Sequence, residues 1–222
     1  MEKLANRISM KIASELSYSQ DQQEVIEYGL IALIQTAVMV AAVLLLGLLL
    51  GIFTEAAAVC FGVSILRKYT GGAHASSILS CTIISAFLCL SFAFLGRFLA
   101  GSITADAVLI VIAASVYLYA VAIAIARVPV DSPNKPIVSE AKRHRLKARS
   151  LLLLAVYFLV SAGLFFSRDF LDHAAGILFC LLIAVAWQMG TLTGPGNFLV
   201  EGSDRLVYRI ITLKGGHYNN EN

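Results

Sequence analysis

Residues 66–81 read LRKYTGGAHASSILSC and form a polar, glycine-containing window between two long apolar runs. His74 and Cys81 are seven residues apart in this window, and Arg67 lies seven residues before His74. Histidine is the side chain that titrates closest to neutral pH, and cysteine is a strong nucleophile once it is a thiolate. A base and a thiol held together at a membrane edge are the components of a cysteine protease or an acyl-transfer site.

The composition around this window indicates an integral membrane protein. Of the 222 residues, 59% are hydrophobic and only 14% are charged, whereas soluble domains carry about 25% charged residues. The formal net charge of +3 is too small to indicate a nucleic-acid partner. The first twenty residues are mixed and polar, so we expect no signal peptide.

Six apolar stretches are expected to be membrane helices, because a helix needs roughly 20 residues to cross a bilayer. They cover about residues 28–52, 54–66, 79–100, 104–126, 150–167 and 173–192. The second stretch is only marginally long, and its position beside the glycines predicts a helix that does not cross simply. The predicted fold is therefore all-α and polytopic, with residues 1–222 in a single integral membrane domain.

The two ends of the chain are more polar than these stretches. Residues 1–20 predict an amphipathic helix, which either lies at the membrane interface and holds the substrate or packs on the bundle from the cytosol. Its apolar face repeats every four residues, at Leu4, Ile8, Ile12 and Leu16. Residues 193–222 are predicted to form a cytoplasmic tail.

The longest polar loop, residues 127–149, is strongly basic. Three prolines predict an extended or turned first half, and the second half, from about Ser139, is predicted to be a helix that enters the fifth span. The basic run at 142–149 either sets the topology or attracts anionic lipids or an acidic substrate segment. The seven basic residues of the loop are Arg127, Lys135, Lys142, Arg143, Arg145, Lys147 and Arg149.

The distribution of positive charge predicts the orientation. If both termini, residues 67–80 and the 127–149 loop share one side, only Arg97 and Arg168 of the 17 Lys and Arg residues lie opposite. Positive loops are retained in the cytoplasm. The His74–Cys81 segment is then cytoplasmic, where thiols are kept reduced.

The window resembles the signature of the AgrB family, the accessory gene regulator B membrane endopeptidases of bacterial quorum sensing. The likeness lies in Arg67, the Gly71-Gly72 pair, His74 and Cys81 at these spacings. It extends over about residues 1–210, through the hydropathy and through the loop PVDSPNKP at 129–136 that precedes the basic run.

This resemblance implies a membrane cysteine endopeptidase with His74 and Cys81 as its catalytic pair. Cys81 would form an acyl-enzyme on an AgrD-like precursor peptide and release a cyclic thiolactone or lactone pheromone. Arg67, Lys68, Gly71 and Gly72 would bind substrate or support the site. No cofactor or metal is expected. The expected partners besides the precursor are membrane lipids, including anionic ones. Whether the protein forms a homodimer is left open.

The glycines address a geometric problem in this site. On one straight helix the Cα atoms of His74 and Cys81 would be about 10 Å apart, whereas a general base must approach the thiol to about 3 Å or act through one water. Gly71-Gly72 is predicted to break the helix, so that His74 folds on a loop toward Cys81. Ser76 or Ser77 is predicted to cap the next helix, near whose start a thiolate is favoured.

The sequence leaves open the roles of Arg67 and Lys68 and the identity of any third catalytic residue. Arg67 and Lys68 favour the thiolate or bind substrate carboxylates, although Arg67 is also placed to be a snorkelling anchor at a helix end. Asp131, Glu55 and Ser80 are candidates for orienting the imidazole, but Glu55 falls on the far side of the membrane and a dyad suffices.

The remaining cysteines and histidines predict no second site. Cys60, Cys89 and Cys180 lie in apolar runs and are interpreted as small buried hydrophobes without disulfides. Zinc is not expected, because His144, His173 and His217 are scattered.

Two other classes of function compete with the enzyme. A six-span small-peptide transporter without proteolytic activity fits polar residues such as Gln35 and Gln188, but it predicts charges or broken helices in corresponding halves, which the sequence lacks. The other alternative is a non-catalytic scaffold or a partner of a sensor.

Overall fold

The computed structural model of the chain describes residues 2–72, 78–130 and 139–215. These residues form eight helices and no β-strand, which confirms the all-α class. The helices are α1 (Glu2–Leu16), α2 (Gln20–Leu49), α3 (Phe53–Thr70), α4 (Ile78–Ser102), α5 (Asp106–Arg127), α6 (Glu140–Ser167), α7 (Ala174–Gly190) and α8 (Gly194–Gly215).

Residues 1–42 form a compact unit of their own, made of α1 and most of α2. The amphipathic helix predicted at residues 1–20 is present as α1, and its Leu4 and Leu16 side chains are more than half exposed. A reciprocal cap begins α2, since Ser19 N donates to Gln22 Oε1 (3.0 Å) and Gln22 N donates to Ser19 Oγ (3.4 Å).

Residues 43–222 form the second compact unit. Its central element is α7, which packs against α3, α4, α5 and α6. Because α7 is apolar around its whole circumference, burial on all sides is its favourable environment. Tyrosines add hydrogen bonds between helices: Tyr117 Oη and Ser161 Oγ are 2.7 Å apart, and Tyr157 Oη donates to Gly62 O (3.0 Å).

Four of the described helices are long and apolar enough to span a membrane, namely α2, α4, α5 and α6. The pair α7 and α8 would count as a fifth span, but it is bent by 94°. This result confirms a polytopic membrane protein, although the predicted number of about six membrane helices exceeds what these lengths and compositions support. The reason is that α3 carries Glu55, Arg67 and Lys68 at its ends, and α7 is only 17 residues long.

The predicted polar tail contains a helix, α8, which the sequence pattern did not predict. Gly194-Pro195-Gly196 suggests a break, but proline suits a first helical turn, where its missing N–H would have no partner. Thr193 caps this turn, because its Oγ1 accepts a hydrogen bond from Gly196 N (3.4 Å) and its carbonyl accepts one from Asn197 N (2.9 Å).

Candidate functional site

The last turn of α3 carries Arg67 and Lys68, and the helix ends at Thr70. Gly71 follows with φ 76° and donates its N–H to Arg67 O (3.0 Å). A side chain at Gly71 would be strained by this φ, and its Cβ would also lie 2.2 Å from Val130 O. The break that the glycine pair predicts is therefore present, and it depends on glycine at position 71.

Two distant parts of the chain hold this turn. Val130 N donates to Thr70 O (2.9 Å), so the start of the polar loop pairs with the end of α3. From α7, Gln188 Nε2 donates to Thr70 Oγ1 (2.9 Å) and to Gly71 O (3.0 Å). Neither contact was predicted from the sequence, where the only signal was a glutamine in an apolar run.

Cys81 lies in the first turn of α4, at the helix end that carries the partial positive charge. It is a free, partly buried thiol. It lies near enough to the Arg67 guanidinium for an electrostatic interaction between the two groups. The structure thus brings together two of the predicted site residues, Arg67 and Cys81, from the two helices on either side of the glycine turn.

The other predicted site residues are placed differently. Lys68 is exposed, and its ammonium lies over the ring of Tyr69, 5.7 Å from the centroid. His74 and the predicted capping serines, Ser76 and Ser77, lie outside the described residues. The catalytic dyad and the cap therefore stay predictions.

Glu55, one candidate third residue, occupies the opposite end of α3 from Arg67, about 18 Å away along the helix. Its buried carboxylate lies 3.3 Å from Arg97 Nε and 3.6 Å from His173 Nδ1. The position of Glu55 at this end of α3 agrees with the prediction that Glu55 lies away from Cys81. Of the other two candidates, Ser80 is buried beside Cys81 in the chain, and Asp131 lies outside the described residues.

The remaining thiols, Cys60, Cys89 and Cys180, are buried and free. Within residues 2–72, 78–130 and 139–215, no three His, Cys, Asp or Glu side chains are grouped in a way that would hold a metal ion.

Comparison with known proteins places the chain in a family. The sequence profile described as Accessory gene regulator B matches residues 5–192. An AgrB-like protein of Clostridium perfringens strain SM101 is 33% identical over 95% of this chain and all of its own length. AgrB-like protein 2 of C. perfringens strain 13 is 36% identical, with the same coverage of both chains. No solved structure matches the chain. The resemblance seen in the motif is thus confirmed, and the chain belongs to the AgrB family of membrane proteins that process autoinducing peptides.

Proposed function

We propose that this protein is a membrane-embedded cysteine endopeptidase that processes a precursor peptide through an acyl-enzyme on Cys81. The observation that carries the proposal is the position of Cys81 in the first turn of α4, near enough to Arg67 for an electrostatic interaction. Both residues belong to the window that resembles the AgrB signature. The processed peptide leaves as a cyclic thiolactone or lactone signal for quorum sensing.

The first half of the reaction cleaves the precursor. His74 accepts the proton of the Cys81 thiol, and the thiolate attacks a main-chain carbonyl of the bound peptide. The C–N bond breaks, the leaving amine takes a proton from His74, and the C-terminal fragment departs. The remaining acyl group is held on Cys81 as a thioester.

The second half closes the ring. A thiol or hydroxyl within the acyl group attacks the thioester carbonyl, and the bond to Cys81 breaks. The proton of the attacking thiol or hydroxyl passes through His74 to the Cys81 sulfur, so the enzyme is returned to its starting state and the product is a thiolactone or a lactone. Exclusion of water from a site at the membrane edge favours this transfer over hydrolysis.

Arg67 supports the first step as a cation. Its positive charge stabilises a thiolate at Cys81. Because the guanidinium is partly buried, water screens this attraction less than it would at an open surface. Lys68, which is exposed at the same helix end, is available to bind a carboxylate of the substrate. The Gly71-Gly72 turn ends α3 and changes the direction of the chain before the segment that leads to Cys81.

An assay in lipid vesicles tests the proposal. The purified protein is incubated with a candidate AgrD-like precursor peptide. We expect release of a linear C-terminal fragment together with a cyclic product, both detected by mass spectrometry. Transport of the intact peptide without cleavage would favour the transporter, and binding alone would favour the scaffold.

The orientation is part of the proposal, since the site needs a reducing compartment, and it requires α3 to be a further membrane crossing between α2 and Cys81. In a background without native cysteines, single cysteines at Ser139 and Asn219 are expected to resist a membrane-impermeant maleimide added to intact cells. Ala105→Cys, in the exposed turn between α4 and α5, serves as the accessible control. Labelling at Ser139 or Asn219 from outside would show that the proposed orientation is wrong.

The basic start of α6 is proposed to attract an acidic segment of the precursor or anionic headgroups. Lys142 and Arg145 are exposed there, whereas Lys147 donates to Ile125 O and so also has a structural contact. Substituting Lys142 and Arg145 by Gln is expected to weaken precursor binding roughly thirty-fold, at about 1 kcal/mol per charge. The loss should shrink as salt is added.

The matched control for this change removes two exposed charges elsewhere, Arg205 and Arg209 of α8, also by Gln. Binding is measured by fluorescence anisotropy of a labelled precursor in vesicles with and without anionic lipid. If the double change at Lys142 and Arg145 binds like the control at every salt concentration, the basic run serves only to orient the chain.

A further inference from the structure

Gln188 is a fully buried polar residue near the end of α7, the most buried helix. Both hydrogens of its side-chain amide are used, one on Thr70 Oγ1 and the other on Gly71 O. Its Oε1 is also buried, and it accepts no hydrogen bond from the part of the chain that the structure describes. A buried amide oxygen without a partner is uncommon in folded proteins and calls for a physical reason.

Stability does not provide that reason. Burial of an amide whose oxygen accepts no hydrogen bond from the described residues costs free energy that an apolar side chain of the same size would not cost. The buried residues Val185, Met189 and Leu192, which are close to Gln188 in the chain, are apolar. Thr70 does not depend on the glutamine either, since its hydroxyl also lies within hydrogen-bond distance of Leu66 O (3.1 Å) and Gly71 O (3.2 Å).

The position of Gln188 supplies a reason instead. Its two hydrogen bonds end on Thr70 and Gly71, where the chain leaves the helix of Arg67 and enters the segment that leads to His74 and Cys81. Gly72 packs onto the same amide, since a Cβ built on it would lie 3.6 Å from Gln188 Nε2. Val130 also holds the turn, through a hydrogen bond from its N–H to Thr70 O. The turn is therefore fixed by side chains and backbone from two remote elements.

We propose that Gln188 is a positioning residue for the acyl-transfer reaction, which acts by holding the Thr70–Gly71 turn at the entrance to the catalytic segment. This inference rests on the proposed function. The two hydrogen bonds fix the direction in which the chain departs from α3, and this direction sets where the base and the thiol can meet. In this role Gln188 acts through the turn and takes no part in the bond changes of the reaction.

Gln188→Met tests the proposal, because methionine has a similar length and no polar atom to satisfy. We expect the thermal midpoint of the protein in detergent to stay the same or rise. The kcat for precursor cleavage should fall about tenfold, as expected for the loss of hydrogen bonds that orient the site, with little change in KM. At acid pH, Gln188→Glu should keep a larger fraction of the wild-type kcat at the same pH than Gln188→Met does. The reason is that only the protonated carboxyl can donate to Gly71 O.

Ser161→Ala is the matched control, since it removes a buried hydroxyl that bonds Tyr117 between α5 and α6. It should lower the thermal midpoint and leave kcat unchanged, the reverse of Gln188→Met. If Gln188→Met loses thermal stability and activity in parallel, or keeps the wild-type kcat, Gln188 is not a positioning residue.

A second measurement distinguishes a failure of this proposal from a failure of the proposed function. In a background with Cys60, Cys89 and Cys180 replaced by Ala, the rate of Cys81 alkylation by iodoacetamide is followed against pH, without any precursor. Gln188→Met is expected to slow alkylation several-fold or shift its pH profile, because the base no longer meets the thiol correctly. An unchanged alkylation profile would overturn the proposal, whereas absence of precursor cleavage by the wild type would overturn the proposed function.

Discussion

Replacing Cys81 by alanine is expected to abolish precursor cleavage, with a loss of about a thousandfold or more. The reason is chemical, because the 66–81 window contains no other thiol. Cys81→Ser should fail or nearly fail as well, since a hydroxyl is far less acidic than a thiol and His74 is only a modest base. Fragment release from the precursor, measured by mass spectrometry, reports both variants.

Two further sets of variants define the specificity of this result. His74→Ala should cut the rate strongly but retain some activity at high pH, where the thiolate forms without a base. Replacement of Cys60, Cys89 and Cys180 by Ala should cost little activity, because these thiols are buried away from the glycine turn. If a folded Cys81→Ala protein still released the C-terminal fragment at the wild-type rate, the acyl-enzyme mechanism would be wrong.

Gly71→Ala is expected to have the second largest effect. The φ of 76° is strained for any residue with a Cβ, at a cost of about 1–3 kcal/mol. The added Cβ would also lie 2.2 Å from Val130 O, so the backbone of the turn must move. A shift of about 1 Å at a catalytic site can cost about a hundredfold in rate, and we expect a loss of that size.

Gly163→Ala provides the control for this substitution. Gly163 lies within α6 and has open space around its Cβ position, so alanine should raise stability by about 0.5–1 kcal/mol and leave cleavage unchanged. Thermal unfolding and fragment release are measured on both variants. Wild-type cleavage by Gly71→Ala, at unchanged stability, would show that the site does not depend on the geometry of this turn.

Much of the fold could be predicted because the physical signals are local. Long apolar runs with few charges indicate membrane helices, and the glycine pair indicates the end of α3. The basic helix predicted from about Ser139 is present as the start of α6. By contrast, α8 was missed because Gly194-Pro195-Gly196 can either interrupt a helix or form its first turn, and the choice depends on the cap that Thr193 provides.

The site was less predictable, because its contacts join residues that are far apart in the sequence. Spacing within one window suggested Arg67 and Cys81, which are brought together across the glycine break. No periodicity connects Gln188 with Thr70, since 118 residues separate them. The engagement of Glu55 with Arg97 and His173 likewise depends on how α3, α4 and α7 pack, which hydrophobic pattern alone does not determine.

The most direct measurement of the central claim is mass spectrometry of the acyl-enzyme. A precursor whose internal thiol or hydroxyl is replaced by a methyl group cannot close the ring, so the thioester should accumulate on the protein. After rapid quenching at acid pH and proteolysis, the peptide that contains Cys81 is expected to carry the N-terminal part of the precursor, attached by a bond that hydroxylamine cleaves at neutral pH. Cleavage of this precursor with no acyl group on Cys81, or with the group on another residue, would contradict the account.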